Sequence, residues 1–203
     1  MNLVFISGPH GAGKSTLADR IAESDDKILI PELKTNTPKL ETDVVVERTT
    51  MKICQRAMEN YELTETARKN PGKIIFGNRC NHDVEAYSRA FLNLGWISQK
   101  EHEQLISFSL YAHNFVSQRA IIYNPPYEIV VERLQKRWKT EKKKWREDNL
   151  DYLHAVCKAF EMFKGRPNIL YLDGNVDLGQ TVSWMKNSSS KMPEDSPVLA
   201  QSI

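Results

Sequence analysis

The sequence has few cysteines and no long hydrophobic run, and these absences exclude several classes of protein. Its three cysteines, Cys54, Cys80 and Cys157, are spaced too widely for a metal-ligand pattern, and their odd number leaves one unpaired in any disulfide scheme. No stretch of about 18 apolar residues occurs, and the apolar run 3–6 is too short for a signal peptide. We therefore expect reduced thiols, no membrane span and a cytoplasmic location.

Charge imbalance and internal repeats are also absent. Lys and Arg total 28 against 26 Asp and Glu, and the formal net charge of +2 is too small to indicate a nucleic-acid partner.

A chain of 203 residues is long enough for one sizeable core. We predict one domain over residues 1–186 and a disordered tail over residues 187–203, which are rich in Ser, Pro and charge.

Short apolar runs alternate with longer segments of helical periodicity, which is typical of a parallel sheet connected by helices. The runs are nearly continuous in apolar residues, as in strands covered on both faces. We predict strands at Leu3–Ser7, Lys27–Ile30, Lys73–Phe76, Ala120–Tyr123 and Asn168–Leu172. We predict helices at Lys14–Glu23, Val44–Arg68, His82–Leu94, Glu101–Val116, Tyr127–Arg137 and Leu150–Phe163. The pattern indicates an α/β protein with a five-stranded parallel sheet.

The first predicted strand leads into the first predicted helix through a glycine-rich turn, with the sequence FISGPHGAGKST. Gly8, Gly13, Lys14 and Ser15 complete the pattern Gly-x-x-x-x-Gly-Lys-Ser/Thr of a phosphate-binding P-loop, in its usual strand–turn–helix context. The glycines let backbone amides point inward at a phosphate, and the helix N-terminus adds attraction for an anion. The turn therefore predicts ATP or GTP binding, although a P-loop by itself names no reaction.

Within this turn, Lys14 is predicted to reach the terminal phosphates and the Ser15 hydroxyl to bind Mg²⁺. We expect His10 to be a spectator, because most side chains in such a turn point outward. The predicted nucleotide-binding residues are Gly8, Gly11, Ala12, Gly13, Lys14, Ser15 and Thr16.

Two residues follow predicted strands at the edge of the sheet where ligands bind, Glu32 after the second strand and Arg79 after the third. A carboxylate at this edge can orient an acceptor hydroxyl and accept its proton, although a solvated loop glutamate is an equal alternative. The third strand leads into Asn78, where many P-loop enzymes carry an acid that binds magnesium's waters. Asp83 or Glu32 is then a candidate for that role.

A basic segment, residues 132–146 with the sequence ERLQKRWKTEKKKWR, follows the fourth strand and its helix. Most of its lysines are expected on a solvated face, and an RNA-binding patch with Trp138 and Trp145 as stacking platforms is a weaker alternative. Its position fits a lid that closes over the triphosphate and brings an arginine to the transition state. Arg137 is the first candidate for that arginine and Arg133 the second.

Taken in order, these motifs resemble the deoxynucleoside kinase and thymidylate kinase group of P-loop kinases over residues 3 to about 174, and the deoxynucleoside kinases are the nearer match. The resemblance implies a three-layer P-loop NTPase fold with a helical lid, ATP and Mg²⁺ as cofactors, and phosphorylation of a nucleoside or deoxynucleoside 5′-hydroxyl. It implies that Glu32 is the base, that Gln55 reads the nucleobase, that Arg79 binds substrate and transferring charge, and that Arg137 belongs to the lid.

Two features depart from that group. Asn78 replaces the acid that is usually paired with the arginine after the third strand, and the segment KTNTPKLETD after Glu32 does not resemble the usual loop. Later segments support the likeness. PPYEIVVERLQKR resembles the stretch that leads into the lid, and NILYLDGN resembles the edge of the adenine pocket.

The residues leave other functions open. A nucleoside monophosphate kinase needs cations around an acceptor phosphate, and Lys34, Lys39 and Arg56 could supply them. A nucleotide-binding regulator or slow ATPase with little transfer activity is motivated by Asn78. We expect a small-molecule partner and no membrane partner, and the apolar segment 105–116 is compatible with either a homodimer interface or an internal helix.

Overall fold

A computed structural model describes residues 2–33, 42–113 and 118–187. Each strand is followed by one or two α-helices, and a short 3-10 turn at Glu161–Phe163 precedes the last strand. The elements are β1 (Leu3–Ser7), α1 (Lys14–Ser24), β2 (Ile28–Leu29), α2 (Val45–Lys69), β3 (Ile74–Asn78), α3 (Asn81–Asn93), α4 (Gln99–Ala112), β4 (Ala120–Tyr123), α5 (Tyr127–Arg137), α6 (Leu150–Phe160), β5 (Ile169–Leu172) and α7 (Leu178–Asn187).

The five strands form one parallel sheet in the order β2-β3-β1-β4-β5. Strand β1 is central, with Val4 opposite Phe76 of β3 and Ile6 opposite Ile121 of β4. Side chains of successive residues point to opposite faces of a strand, so Phe5 enters one hydrophobic core while Val4 enters the other. The sheet is therefore covered on both faces, which confirms the predicted α/β class and its three-layer P-loop arrangement.

The two cores are built by different helices. On one face, α2, α3, α4 and α6 contribute buried side chains such as Ile53, Phe91 and Leu105. On the other face, α1 and α7 contribute Leu17 and Met185. Helix α7, which follows β5 and packs against α1, is not among the helices predicted from the sequence.

Local sequence signals explain where several helices begin. Helix α4 begins with a capping box, in which the Ser98 hydroxyl accepts a hydrogen bond from the Glu101 backbone and the Glu101 carboxylate accepts one from the Ser98 backbone. Helix α6 begins where the Asn149 side chain accepts a hydrogen bond of 2.9 Å from the Tyr152 backbone. These contacts satisfy amides that the first turn of a helix leaves without partners.

Some sequence predictions concern residues outside the described part. The candidate cations Lys34 and Lys39 lie there, as does the tail after Asn187. Helix α4 ends at Ala112, and residues 114–116 of the helix predicted over Glu101–Val116 also lie outside the described part.

Where the segment 105–116 is described, one of its faces is buried and another is exposed. Leu105 is buried in the core, whereas Phe108, Leu110 and Tyr111 are exposed. Helix α4 therefore packs against α2 and α3, with Leu105 in their shared core, and the homodimer stays a prediction.

The three cysteines are free thiols, of which Cys54 is exposed and the other two are buried. Among the described helices, none combines the length and apolar character that crossing a membrane requires.

Candidate active site

A cavity of about 1290 Å³ opens where β1, β3 and β4 end. It is lined by the glycine-rich turn, by faces of α2 and α3, by the segment from α5 to α6, and by residues 174–176 after β5. Of these last residues, Gly174 and Asn175 belong to the segment NILYLDGN, which was predicted to form the edge of the adenine pocket. One cavity thus collects groups from several regions that are separate in the sequence.

Positive charge dominates this cavity. Among the described residues that line it, only Asp83 and Glu141 carry carboxylates. The lining cations are Lys14, Arg20, Arg48, Lys52, Arg56, Arg79, Arg133, Arg137 and Lys144. A surplus of this size concentrates positive potential in the cavity and favours a polyanionic ligand.

The glycine-rich turn coils in a way that requires glycine. The backbone φ of Gly8 is 150°, and a Cβ there would lie 2.1 Å from the Tyr123 carbonyl oxygen. At Gly11, φ is 73° and a Cβ would lie 2.5 Å from the Leu134 side chain. Helix α1 then begins at Lys14 without a side-chain cap, so the amides of its first turn are available to an anion.

The Lys14 side chain folds back over the turn. Its Nζ donates hydrogen bonds of 3.0 Å to the Gly8 carbonyl and 2.7 Å to the Pro9 carbonyl. Burial lowers the pKa of Lys14 well below its usual range, and the nearby Arg79 charge lowers the pKa further. A phosphate beside this ammonium would offset both effects, because opposite charge favours the protonated form.

Asp83 links the end of β1 to the start of α3 and holds Arg79. One carboxylate oxygen accepts a hydrogen bond of 2.9 Å from Arg79, and the other accepts bonds from the Ser7 hydroxyl and from the Cys80 backbone. Arg79 itself has a left-handed backbone, with φ of 70°. The acid paired with this arginine is thus Asp83, four residues further along, whereas Asn78 is exposed at the cavity wall.

The two lid candidates, Arg133 and Arg137, both line the cavity. Arg133 donates a hydrogen bond to the Ala12 carbonyl of the glycine-rich turn. Arg137 pairs with the carboxylate of Glu147, which is fully buried. Glu147 also accepts hydrogen bonds from the Trp138 indole (3.0 Å) and from the backbone of the basic segment.

Two predicted residues are not brought to this cavity. Glu32 is exposed after β2 and is not among the residues that line the cavity. Gln55 is not among them either, and its amide is bonded along α2, accepting from Lys52 at 2.8 Å and donating to Glu59 at 2.9 Å. The roles of Glu32 and Gln55 stay predictions, which the geometry of the described residues does not support.

Helix α2 presents a different face to the cavity. Arg48, Lys52 and Arg56 line it at intervals of four residues, which places them on one side of the helix. Burial lowers the pKa of Lys52 to about 8, and the charges of Arg56 and Arg79 contribute. The spacing of these three residues is visible in the sequence, but only Arg56 was named there as a candidate cation.

Aromatic rings form a wall of the cavity that sequence reasoning missed. Tyr87, Phe91, Trp145 and Tyr152 line it, and the Phe91 and Tyr152 rings stack with centroids 5.9 Å apart. The Trp145 indole donates a hydrogen bond of 3.1 Å to Asp43, which connects the basic segment to the start of α2. Tyr87 is buried and also forms part of this wall.

Comparison with known proteins places this arrangement in a family. A family model described as an AAA domain matches residues 4–154, so the chain belongs to that family. No curated protein matches the chain in sequence. Its fold, however, is that of structures in the deoxynucleoside kinase group of P-loop kinases, which confirms the resemblance read from the motifs.

The similar structures are of deoxyadenosine kinase from M. mycoides. The form with bound dATP has a TM-score of 0.53 and 18% identity, over 93% of this chain and 100% of that chain. The form with bound dCTP has a TM-score of 0.52 and 17% identity, over 92% of this chain and 98% of that chain. The form with the products dCMP and dCDP has a TM-score of 0.53 and 18% identity, with coverage of 92% and 98%. At this identity the likeness establishes the fold.

Proposed function

We propose that this protein transfers the γ-phosphoryl group of ATP to the 5′-hydroxyl of a nucleoside or deoxynucleoside. The main support for the proposal is that the phosphate-binding turn and the aromatic wall line the same cavity. The turn suits the triphosphate donor, and ring faces such as those of Phe91 and Tyr152 suit an acceptor with a planar base. The shared fold with deoxyadenosine kinase supports the same acceptor class.

Phosphoryl transfer requires mainly positioning and neutralisation of charge. In this proposal the amides of the turn and Lys14 hold the donor phosphates. Arg79, fixed by Asp83, and Arg137, fixed by Glu147, face the transferring group from opposite parts of the chain. Arg133 ties the lid helix α5 to the turn through its bond to Ala12.

The residues present fit a magnesium ion that is held mainly by phosphate. The exposed Ser15 hydroxyl, the Asn78 amide and the Asp83 carboxylate line the same cavity. Within the described ranges, no group of three or more His, Cys, Asp or Glu side chains is placed to form a metal cage. Magnesium typically takes one or two protein ligands and completes its shell with phosphate and water, and when bound it neutralises charge on the transferring group.

An acceptor panel tests the proposal. Purified protein, ATP and Mg²⁺ are incubated with ribonucleosides, deoxynucleosides and their 5′-monophosphates, and products are separated by chromatography. We expect a new 5′-monophosphate from at least one nucleoside. ATP binding without a phosphorylated product from any acceptor would contradict the proposal and favour a nucleotide-binding regulator or slow ATPase.

One observation favours a second candidate, a nucleoside monophosphate kinase. The cavity holds nine cationic side chains, and Arg48, Lys52 and Arg56 add positive charge along α2 beyond that of the turn and the lid. The phosphate of a monophosphate acceptor would be attracted to these positive charges. Its negative charge would also raise the lowered pKa of Lys52 toward the usual value. In the panel, formation of a diphosphate from a monophosphate identifies this activity.

A further inference from the structure

Trp145 of the basic segment is held in the cavity wall by contacts from three separate parts of the chain. Its indole Nε1 donates a hydrogen bond of 3.1 Å to Asp43, just before α2. Its ring packs edge-to-face against Phe91 of α3 and Tyr152 of α6, with centroids 6.0 Å and 5.9 Å away. These contacts fix the orientation of an indole that lines the cavity.

Two guanidinium groups lie over the same indole. The Cζ atom of Arg48 is 4.8 Å from the ring centroid, and that of Arg146 is 4.9 Å from it. Arg146 is also 4.3 Å from the ring centroid of Trp96, which precedes α4. Its backbone φ is 51°, a value that a non-glycine residue keeps only where its surroundings enforce it. Cation–π contacts therefore tie the end of the basic segment to α2 and to the connection between α3 and α4.

Trp145 offers a ligand more surface than the other rings of the aromatic wall. All four rings are described, and Tyr87, Phe91 and Tyr152 are 9%, 4% and 1% exposed. Trp145, in contrast, is half-buried. A planar base that lies along this wall therefore makes its widest contact with Trp145.

The ring of His10 shows where the phosphate-binding turn meets the wall. Its centroid is 5.3 Å from that of Tyr87 and 6.3 Å from that of Tyr152, so the expectation that His10 points outward is wrong. Tyr152 also contacts Trp145, whereas within the described ranges no ring contact joins His10 to Trp145 directly. The wall therefore extends from the turn to Trp145 by way of Tyr152, and Trp145 forms its far end.

We propose that Trp145 is a specificity-determining residue that limits the size of the acceptor base, an inference that rests on the proposed function. The turn fixes the triphosphate, so the attacking hydroxyl must lie near the turn, and the rest of the acceptor extends along the wall toward Trp145. The indole cannot move aside without losing its bond to Asp43 and its contacts with two guanidinium groups. A base that is too long for the wall is therefore rejected by contact with this ring.

Acceptors of different length test this inference. The probes are deoxycytidine, deoxyadenosine and a benzyldeoxyadenosine that carries a benzyl group on its exocyclic amine, each also as its 5′-monophosphate. Calorimetric titration gives their affinities, and assays with ATP and Mg²⁺ give kcat/KM. We expect Trp145→Ala to raise the preference for benzyldeoxyadenosine over deoxyadenosine by about tenfold or more. The KM for ATP should stay within about threefold of that of the parent protein, because the turn is unchanged.

Trp184→Ala is the matched control. Trp184 is a half-buried tryptophan that lies over Arg119, 4.8 Å from ring centroid to Cζ, and it is not among the described residues that line the cavity. We expect this variant to keep the acceptor preference of the parent protein.

Asp43→Ala guards against a Trp145 variant that misfolds. Asp43 is exposed and does not line the cavity, so this substitution removes the bond that fixes the indole and leaves the indole in place. We expect it to shift the acceptor preference in the same direction by about threefold. Circular dichroism verifies the fold of each variant.

The outcomes separate this inference from the proposed function. If acceptors are phosphorylated but neither Trp145→Ala nor Asp43→Ala changes their preference, the role of Trp145 is overturned and the proposed function stands. If Trp145→Ala does not fold, an unchanged preference in Asp43→Ala overturns the inference by itself. If no acceptor is phosphorylated but Trp145→Ala changes the order of affinities, the proposed function fails and the size limit stands as a property of binding. If none of the probes binds, both fail.

Discussion

At the scale of single residues, Asp83 organises the cavity. It is 6% exposed and connects three groups that are separate in the sequence, namely the Ser7 hydroxyl, the Cys80 amide and the Arg79 guanidinium. Such a carboxylate orients its partners and compensates a charge that is largely removed from water. Arg79 keeps its left-handed backbone while bonded to this carboxylate.

Replacing Asp83 with Asn removes the negative charge and places an amide donor among donors. We expect Asp83→Asn to destabilise the fold by about 2–4 kcal/mol, because breaking a buried ion pair leaves the Arg79 charge uncompensated. Urea unfolding followed by circular dichroism measures this change. The control is Glu161→Gln, whose ion pair with Lys158 is exposed and should contribute at most about 1 kcal/mol. Equal effects of the two substitutions would contradict the role given to Asp83.

At the scale of elements, Glu147 holds the chain that follows helix α5 against the end of that helix. Helix α5 ends at Arg137, and the chain after it returns so that Glu147 accepts hydrogen bonds from Arg137, from the Trp138 indole and from the Lys144 backbone. Because Glu147 is fully buried, these donors replace the hydrogen bonds that water would give its carboxylate. The carboxylate therefore fixes both the fold of the basic segment and the place of Arg137 on the cavity wall.

Glu147→Gln should loosen this segment, because the amide of glutamine would face the Arg137 guanidinium with donor against donor. We expect faster tryptic cleavage within residues 139–146, and a kcat that is lower by up to about tenfold if Arg137 faces the transferring group as proposed. Timed proteolysis with mass spectrometry and steady-state kinetics give the two readings. The control Glu132→Gln removes an exposed ion pair to Lys136 on the same helix and should change neither reading.

The rotation of a helix about its axis also determines which of its predicted residues line the cavity. The prediction for Gln55 placed it on the correct helix, but α2 turns Arg48, Lys52 and Arg56 toward the cavity instead. A helix rotates about 100° per residue, so a neighbour in sequence can lie on another face. Periodicity within α2 gives two plausible stripes, and packing against α3 and α4 selects one of them.

At the scale of the whole molecule, charge is distributed unevenly. The chain has a formal net charge of only +2, yet nine cations and two carboxylates are among the described residues that line one cavity. The remaining surface must balance this excess. Local potential in a cleft, rather than net charge, governs the attraction of an anionic ligand.

ATP binding should therefore depend on salt and on Lys14. We expect the affinity for ATP to fall steadily as ionic strength rises from about 0.05 M to 0.5 M, because screening weakens the attraction. At about 100 times its Kd, ATP should stabilise the fold by about 2.7 kcal/mol and raise Tm accordingly. Lys14→Ala should lose most of that thermal shift. Calorimetric titration and thermal melts measure both effects, and affinity that is independent of salt would contradict an electrostatic site.

The sequence by itself determined the class of fold and the phosphate-binding turn. Contiguous residues encode both, since the apolar runs, the helical periodicities and the turn from Gly8 to Ser15 depend mainly on near neighbours. The sequence also placed Arg79 after β3 and Arg137 at the end of α5, because the ends of strands and helices were predicted to within a few residues.

Only the tertiary structure decided which side chains meet. The bond between Ser7 and Asp83 joins residues 76 apart, and the contacts of His10 with Tyr87 and Tyr152 join the turn to two distant helices. It also left Glu32 outside the cavity lining. The physical reason is that a local sequence pattern specifies how one segment of the chain folds. Which side chains face each other across a cavity depends on how distant segments pack together in both cores.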